Sequence, residues 1–202
     1  PDNSWVTDAS RKFPITIDPP VSTKLDKSSL TDTFVGSTDT ADRSTNFSLR
    51  VGNTVGNPTS YGTTRSLIKF NLPSLSYAET VIYGDLNLYS SEIYGGGVQV
   101  NAHKVTSSWS NPGTLWSNQP TYDAAISDYA IATQPNVYYH LNITSIASDW
   151  YKSLTNNGLI LKANNEATGN AAFWSSDVAG APWAIPQLTI GYVNNTGIED
   201  YW

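Results

Sequence analysis

No cysteine and no methionine occur in the 202 residues, and histidine appears only at His103 and His140. Without cysteine there can be no disulfide staples, thiolate nucleophile or cysteine-held zinc, so stability must rest on core packing and sheet hydrogen bonds. With two histidines, and no second ligand type at metal spacing from either, little metal or acid–base chemistry remains. Both fall in strand-like segments and read as structural residues with satisfied ring nitrogens. Positive charge is scarce too. Eleven Lys and Arg stand against seventeen Asp and Glu, for a net charge of −6, and no basic run occurs. Nucleic acid, which needs clustered positive charge, is excluded as a partner. No apolar run approaches the roughly 20 residues that cross a bilayer, so membrane insertion is not expected. Also missing are a Gly-x-Ser-x-Gly elbow, a His-Glu-x-x-His helix, a phosphate-binding glycine loop and a dinucleotide fingerprint. Glutamate is confined to Glu79, Glu92 and Glu166 near turns and Glu199 in the tail. That is poor material for a glycosidase, whose paired carboxylates must stand about 5–9 Å apart. The chain is not expected to be an enzyme, and its lack of cysteine leans towards an extracellular address.

What is present is alternation. Arg65-Ser66-Leu67-Ile68-Lys69-Phe70-Asn71-Leu72 places Ser66, Ile68, Phe70 and Leu72 on one side, with Leu67 the only apolar residue out of phase, and stops at Pro73. This is the pattern of a half-buried strand. It recurs at 85–89, 98–105 and 187–192. Strands are predicted near 33–37, 47–52, 65–72, 82–90, 97–106, 136–141, 158–164, 171–176 and 186–193, with Gly56-Asn57-Pro58, Gly95-Gly96-Gly97, Asn111-Pro112-Gly113 and Asn156-Asn157-Gly158 as turns. One segment has another period: Ile143, Ile146, Ala147, Trp150, Tyr151 and Leu154 recur at three- and four-residue steps. A short amphipathic helix follows, with Asn142 or Thr144 as its cap and Gly158 just beyond its end. The segment 107–135 reads as a long excursion tied down by Trp109, Trp116 and Tyr122. The fold class expected is all-β, a jelly-roll-like antiparallel β-sandwich with one short helix. Residues 23–193 form the domain, 1–22 the end of a preceding module and a Pro-rich connector, and 194–202 a linker and the start of the next. Pro1 does not begin a signal peptide, so the chain reads as a piece of something longer.

Candidate sites are few. Asp32, Asp39 and Asp42 lie in and before an acidic loop and can offer oxygen ligands to calcium. Among the seven tryptophans, Trp150 belongs to the helix stripe and Trp109 and Trp116 to the excursion. Trp174, out of phase with Phe173, and Trp183, in a Gly/Ala/Pro loop, are the ones expected to face solvent, where a flat ring can stack on a sugar.

The succession Asp32-Thr33-Phe34-Val35, Leu49-Arg50-Val51-Gly52, Arg65 to Leu72, Leu86-Asn87-Leu88-Tyr89, Trp109 with Trp116-Ser117-Asn118-Gln119-Pro120, Gly158-Leu159-Ile160-Leu161-Lys162, Phe173-Trp174-Ser175-Ser176 and Pro186-Gln187-Leu188-Thr189-Ile190 resembles the DNRLRE domain. The flanks, Phe13 to Pro19 and Gly197 to Trp202, resemble those of wall-associated Rhs/YD-repeat proteins of Bacillus-type bacteria, large exported carriers of a C-terminal toxin. The resemblance implies a sandwich like those of carbohydrate-binding modules, some of which bind acidic polysaccharide. A non-catalytic, secreted, cell-wall module is therefore expected, with polysaccharide or a wall polymer and the neighbouring domains of the same chain as partners. Arg50, Arg65 and Lys69, the last two on one strand face, can pair with carboxylate or phosphate groups of such a ligand. The alternative is a spacer that docks on its neighbours through Trp5, Tyr201 and Trp202 and takes no free ligand.

Overall fold

The computed structural model describes residues 21–22, 27–54, 60–75 and 79–194. The tails, with Trp5, Tyr201 and Trp202, lie outside the described residues. Among the described residues eleven strands and one α-helix follow in chain order: β1 (Val21–Ser22), β2 (Leu30–Gly36), β3 (Ser48–Asn53), β4 (Thr63–Phe70), β5 (Glu79–Tyr94), β6 (Val98–Lys104), β7 (Asp128–Ala132), β8 (Tyr138–Asn142), α1 (Thr144–Ser153), β9 (Leu159–Ala163), β10 (Asn170–Trp174) and β11 (Gln187–Asn194). Every pairing is antiparallel. The order is β1-β11-β5-β10-β3-β4-β9-β6-β7, with β2 on the free edge of β4 and β8 on that of β5. Between the ends, Asn142 N–H donates to Asp128 Oδ2 at 2.7 Å and Thr133 N–H to the Tyr139 hydroxyl at 2.9 Å, which nearly closes the sandwich. This is the antiparallel β-sandwich with a single short helix that the alternation implied.

The sixteen residues of β5 serve both layers. Its first part pairs with β11 and β8, its last with β10, and a register shift at Ala172/Phe173 marks the bend. Leu86 and Leu88 of β5 point inward to meet Leu188 and Ile190 of β11, Leu141 of β8, and Ile68 and Phe70 of β4 in one core. Removing such side chains from water contributes about 1.5–3 kcal/mol each. Leu67, the residue out of phase, is buried nonetheless. It faces the opposite side of β4 and joins Val35, Val105 and Ile160 in a second apolar cluster roofed by Trp109, Trp116 and Tyr122. The excursion thus gives the outer face of this sheet a lid, although its last part contains β7, a strand absent from those expected. Val21–Ser22, assigned to the connector from sequence, pair with Ile190 and Thr189 of β11.

The helix lies on β5. Ile146, Ala147 and Trp150 are buried against the core, and Asn142 Oδ1 accepts from the backbone N–H of Thr144 at 3.0 Å. Gly84 lets the helix approach, since a Cβ there would lie 3.1 Å from that of Ala147 and 3.2 Å from Thr144 Cα. At the other end the chain turns at Leu154 with φ 54°, the left-handed conformation, and this side chain is 91% exposed. A β-carbon is disfavoured there and nothing is packed on it. Leu154→Gly is therefore expected to raise stability by about 1 kcal/mol in denaturant unfolding; a loss would show that Leu154 makes contacts that outweigh its strain. Among the described residues no helix is long and apolar enough to cross a membrane.

Candidate functional site

Arg65 and Lys69 leave β4 on the side roofed by the excursion. Arg65 is engaged by its own fold: Nε and Nη2 donate to Glu166 Oε1 and Oε2 at 2.6 and 2.8 Å, and Nη1 donates to Gln119 Oε1 at 3.1 Å. Its guanidinium lies 4.6 Å from the Trp116 ring centre and 5.8 Å from that of Tyr122. Burial alone would raise the Glu166 pKa, but the hydrogen bonds and charge of Arg65, with Lys162 adding to them, hold it below the usual carboxylate range. The arginine and the excursion brace each other. His103 sits beside this cluster, with Nδ1 3.0 Å from the carbonyls of Asp123 and Ala125. Its Nε2 is buried with no partner among the described residues, so only one of its ring nitrogens is satisfied. Burial holds its pKa down, and the charges of Lys162 and Arg65 add to that.

Arg50 is not gathered with Arg65. On β3 its Nη1 reaches Glu92 Oε2 at 3.3 Å and Asn170 Oδ1 at 3.4 Å, and Tyr61 lies 5.8 Å away. Lys69, opposite Thr31 of β2, has no ion pair among the described residues. The three acids of the expected calcium loop also have separate partners. Asp32 is buried and accepts from the N–H and hydroxyl of Ser176 at 2.8 and 2.9 Å. Asp39 takes a bidentate pair from Arg43 at 2.6 and 3.0 Å. Asp42 accepts from Ser44 N–H at 2.8 Å and Gly113 N–H at 2.5 Å. No group of three or more His, Cys, Asp or Glu side chains among the described residues is placed to hold a metal ion.

Trp183 lies over the outer face of β5, with Trp174 at its margin. β10 and β11 run along the same edge of β5, and the loop between them brings Trp183 back over the strand. The Trp183 ring stands edge-on to Tyr89 at 4.8 Å and 87°, and Tyr89 stands edge-on to Tyr138 at 4.8 Å. The Trp183 carbonyl accepts from the Tyr138 hydroxyl at 2.5 Å and from Gln187 Nε2 at 2.9 Å, which clamps the loop to the sheet. Trp183 remains 48% and Tyr138 40% exposed. The register Phe173↔Ser90 sets half-buried Trp174 at the margin of the same face.

Beyond the aromatics the face is polar. Because Leu86, Leu88, Leu141 and Leu188 point inward, Asp85, Asn87, His140, Gln187 and Thr189 must point outward. Gln187, Asn87 and His140 stand in one row across three strands, and Thr189, Asp85 and Asn142 in the next. Asp85 Oδ2 accepts from Asn87 Nδ2 at 2.9 Å and lies 3.2 Å from His140 Nδ1. From Tyr89 to exposed Tyr83 the strip runs six residues of strand, about 20 Å. It combines stackable rings with a dense set of donors and acceptors, and needs no chemical step. Of its residues, sequence reasoning singled out only Trp183 and Trp174. Tyr83, Asp85, Asn87, Tyr89, Tyr138 and His140 were read as ordinary alternating positions, although their i, i+2 recurrence of rings and polar groups is itself the signature of an uncovered sheet face.

A search of the curated proteins finds no match to this chain. The family model for carbohydrate-binding module family 96 matches residues 24–191, from the segment before β2 almost to the end of β11. That span takes in the sandwich, the lidded outer face and the aromatic platform together, and the chain belongs to carbohydrate-binding module family 96, a family of non-catalytic binding modules.

Proposed function

We propose that this module grips a glycan on the outer face of β11, β5 and β8, with Trp183 as the stacking platform and Asp85, Asn87, His140 and Gln187 as the hydrogen-bonding row. The observation that carries this reading is the clamped state of Trp183. An aromatic ring half in solvent is held by Tyr89 at its edge and by Tyr138 and Gln187 on its carbonyl. A platform fixed before binding loses little entropy when a sugar ring settles on it.

Affinity electrophoresis through gels containing soluble polysaccharides tests it. Trp183→Ala should weaken retardation by the responding polymer about tenfold or more, a loss of ~1.4 kcal/mol, while Trp183→Tyr, which keeps a ring, should retain most of it. Equal retardation of the wild-type and Trp183→Ala proteins would remove this face from consideration. Running the gels with calcium and with chelator decides whether the acidic loop of Asp32, Asp39 and Asp42 contributes.

The wider setting follows from the DNRLRE-like order of motifs and the wall-protein-like flanks. In it the module holds a large exported, wall-associated protein of Rhs/YD-repeat type on polysaccharide outside the cell. Sedimentation of the protein with purified cell walls, lost in Trp183→Ala, would support that setting; retention of the protein in the supernatant would count against it.

A further inference from the structure

The charge of the platform bears on which glycan it takes. Its fixed charge is one carboxylate, Asp85, 16% exposed and held in place by Asn87 and His140. Beside it, partial desolvation and then the Asp85 charge raise the pKa of the Tyr83 phenol, so a neighbouring group already senses the negative field of this surface. Among the described residues the arginines and lysines stand elsewhere and most are matched, while His140, the base on the face, is engaged with Asp85 at 3.2 Å. Each described arginine has a carboxylate of its own, Arg43 with Asp39, Arg50 with Glu92 and Arg65 with Glu166. Lys27 pairs with Asp177, Lys104 with Asp123 and Asp149, and Lys162 lies 3.9 Å from Glu166. Lys69 and Lys152, which have no ion pair among the described residues, stand on β4 and α1 rather than on β11, β5 or β8.

Resting on the sugar-platform reading above, we infer that the ligand of this face is an uncharged, hydroxyl-rich glycan, and that Asp85 is its specificity-determining acceptor for sugar hydroxyls. A carboxylate only accepts, and O–H···O⁻ bonds are roughly twice as strong as neutral ones. Asn87 and Gln187 supply both donors and acceptors in the adjoining row, which matches hydroxyls that do both. A polyuronate or a phosphate-bearing wall polymer would instead bring like charge against Asp85, with no guanidinium or ammonium on the face among the described residues to answer it, His140 being engaged with Asp85 itself, and a chain of net charge −6 behind it. Of the basic residues that the sequence offered for such polymers, Arg50 and Arg65 are paired with Glu92 and Glu166, and Lys69 stands on β4, away from this face.

The test uses the 202-residue chain in gels containing hydroxyethylcellulose, galactomannan or arabinoxylan, all uncharged, and polygalacturonate, each at low and high salt. Retardation by at least one uncharged polymer is expected. It should be indifferent to salt, lost in Trp183→Ala, and weakened about tenfold in Asp85→Asn, which keeps the shape of the side chain but removes its charge. Unfolding curves of both variants confirm that each is folded. Trp183-dependent retardation by polygalacturonate, with none by the uncharged polymers, would overturn the inference about charge and leave the platform standing. Trp183-dependent binding of an uncharged polymer that is unchanged in Asp85→Asn would overturn the role of Asp85. If no polymer shows Trp183-dependent retardation, the platform reading itself fails and this inference with it.

Discussion

Glu166→Ala is expected to destabilise the protein by about 3 kcal/mol in denaturant unfolding. The Arg65 guanidinium is covered by Trp116 and Tyr122, with only 15% of the side chain exposed, and its charge is answered by both oxygens of Glu166. Removing the carboxylate leaves the cation where water reaches it poorly. The cost of breaking a buried pair in this way is about 3–5 kcal/mol. The value should fall at the lower end, because Gln119 Oε1 and the Trp116 face remain to stabilise the charge. In the double variant Glu166→Ala/Arg65→Met the stranded charge is gone and an apolar chain fills the space under Trp116, so most of the loss should be recovered. A loss below about 1 kcal/mol in the single variant would mean the pair behaves as a solvent-screened surface bridge. The consequence reaches beyond β4, since Arg65 ties the excursion, through Gln119 and Trp116, to a loop 101 residues further along the chain.

The second large effect is one of pH. Asp32 is buried at the junction of β2 with the segment after β10, and burial pushes its pKa up from 3.8 to about 6; the bonds from Ser176 act the other way, and the Asp177 charge adds to the rise. A raised carboxyl pKa means that the folded state binds a proton more tightly than the unfolded state. Between about 6 and 3.8 the native form is the more protonated, so stability from this group increases as pH falls through that window. At 1.36 kcal/mol per unit the full contribution is about 3 kcal/mol. Other groups act in the opposite direction. His103, its pKa lowered by burial, favours folding while neutral and costs stability as pH falls below its unfolded value. Asp39, Asp42 and Glu166, with lowered values, lose their contributions only as pH falls below the ordinary carboxylate range. Partial burial of Asp42 is outweighed by its bonds from Ser44 and Gly113. The clean readout is therefore a difference, the unfolding free energy of wild type minus that of Asp32→Asn from pH 3 to 8. It should be level above about 6.5 and rise by about 3 kcal/mol on going down to about pH 3, with most of the rise complete by about 4. A difference that does not change with pH would mean that Asp32 titrates normally in the folded protein.

The uneven legibility of the fold and the site has one physical cause. Period-two alternation is local, and it exposed the strands of the core: Ile68 and Phe70 in β4, Leu86 and Leu88 in β5 and Leu188 and Ile190 in β11 all face the interior they were assigned to. The helix was equally legible, because Ile146, Ala147 and Trp150 repeat at helical steps over a stretch that needs no distant partner. Strand β7 was not, since its exposed Tyr129 and Ile131 break the expected inside–outside contrast and its partner Val98–Ala102 lies some thirty residues earlier. Leu67 could be seen as out of phase, but the lid that buries it comes from a segment with no period at all.

The candidate site divides in the same way. That Trp183 would be exposed was readable from its loop, whereas its contact with Tyr89 depends on β10 and β11 sharing an edge of β5. That Arg50, Arg65, Asp32, Asp39 and Asp42 are charged was readable, whereas their partners, Glu92, Glu166, Ser176, Arg43 and Gly113, were not. By itself the sequence determined the all-β class, the helix, the inward residues of each well-marked strand, and the absence of thiol chemistry and of any basic tract. Only the tertiary structure decided which faces are covered, which charges are answered and where the rings meet, because strand alternation assigns a side chain to a face but not to a neighbour. Some of those neighbours lie far along the chain, Glu166 101 residues from Arg65 and Ser176 144 residues from Asp32.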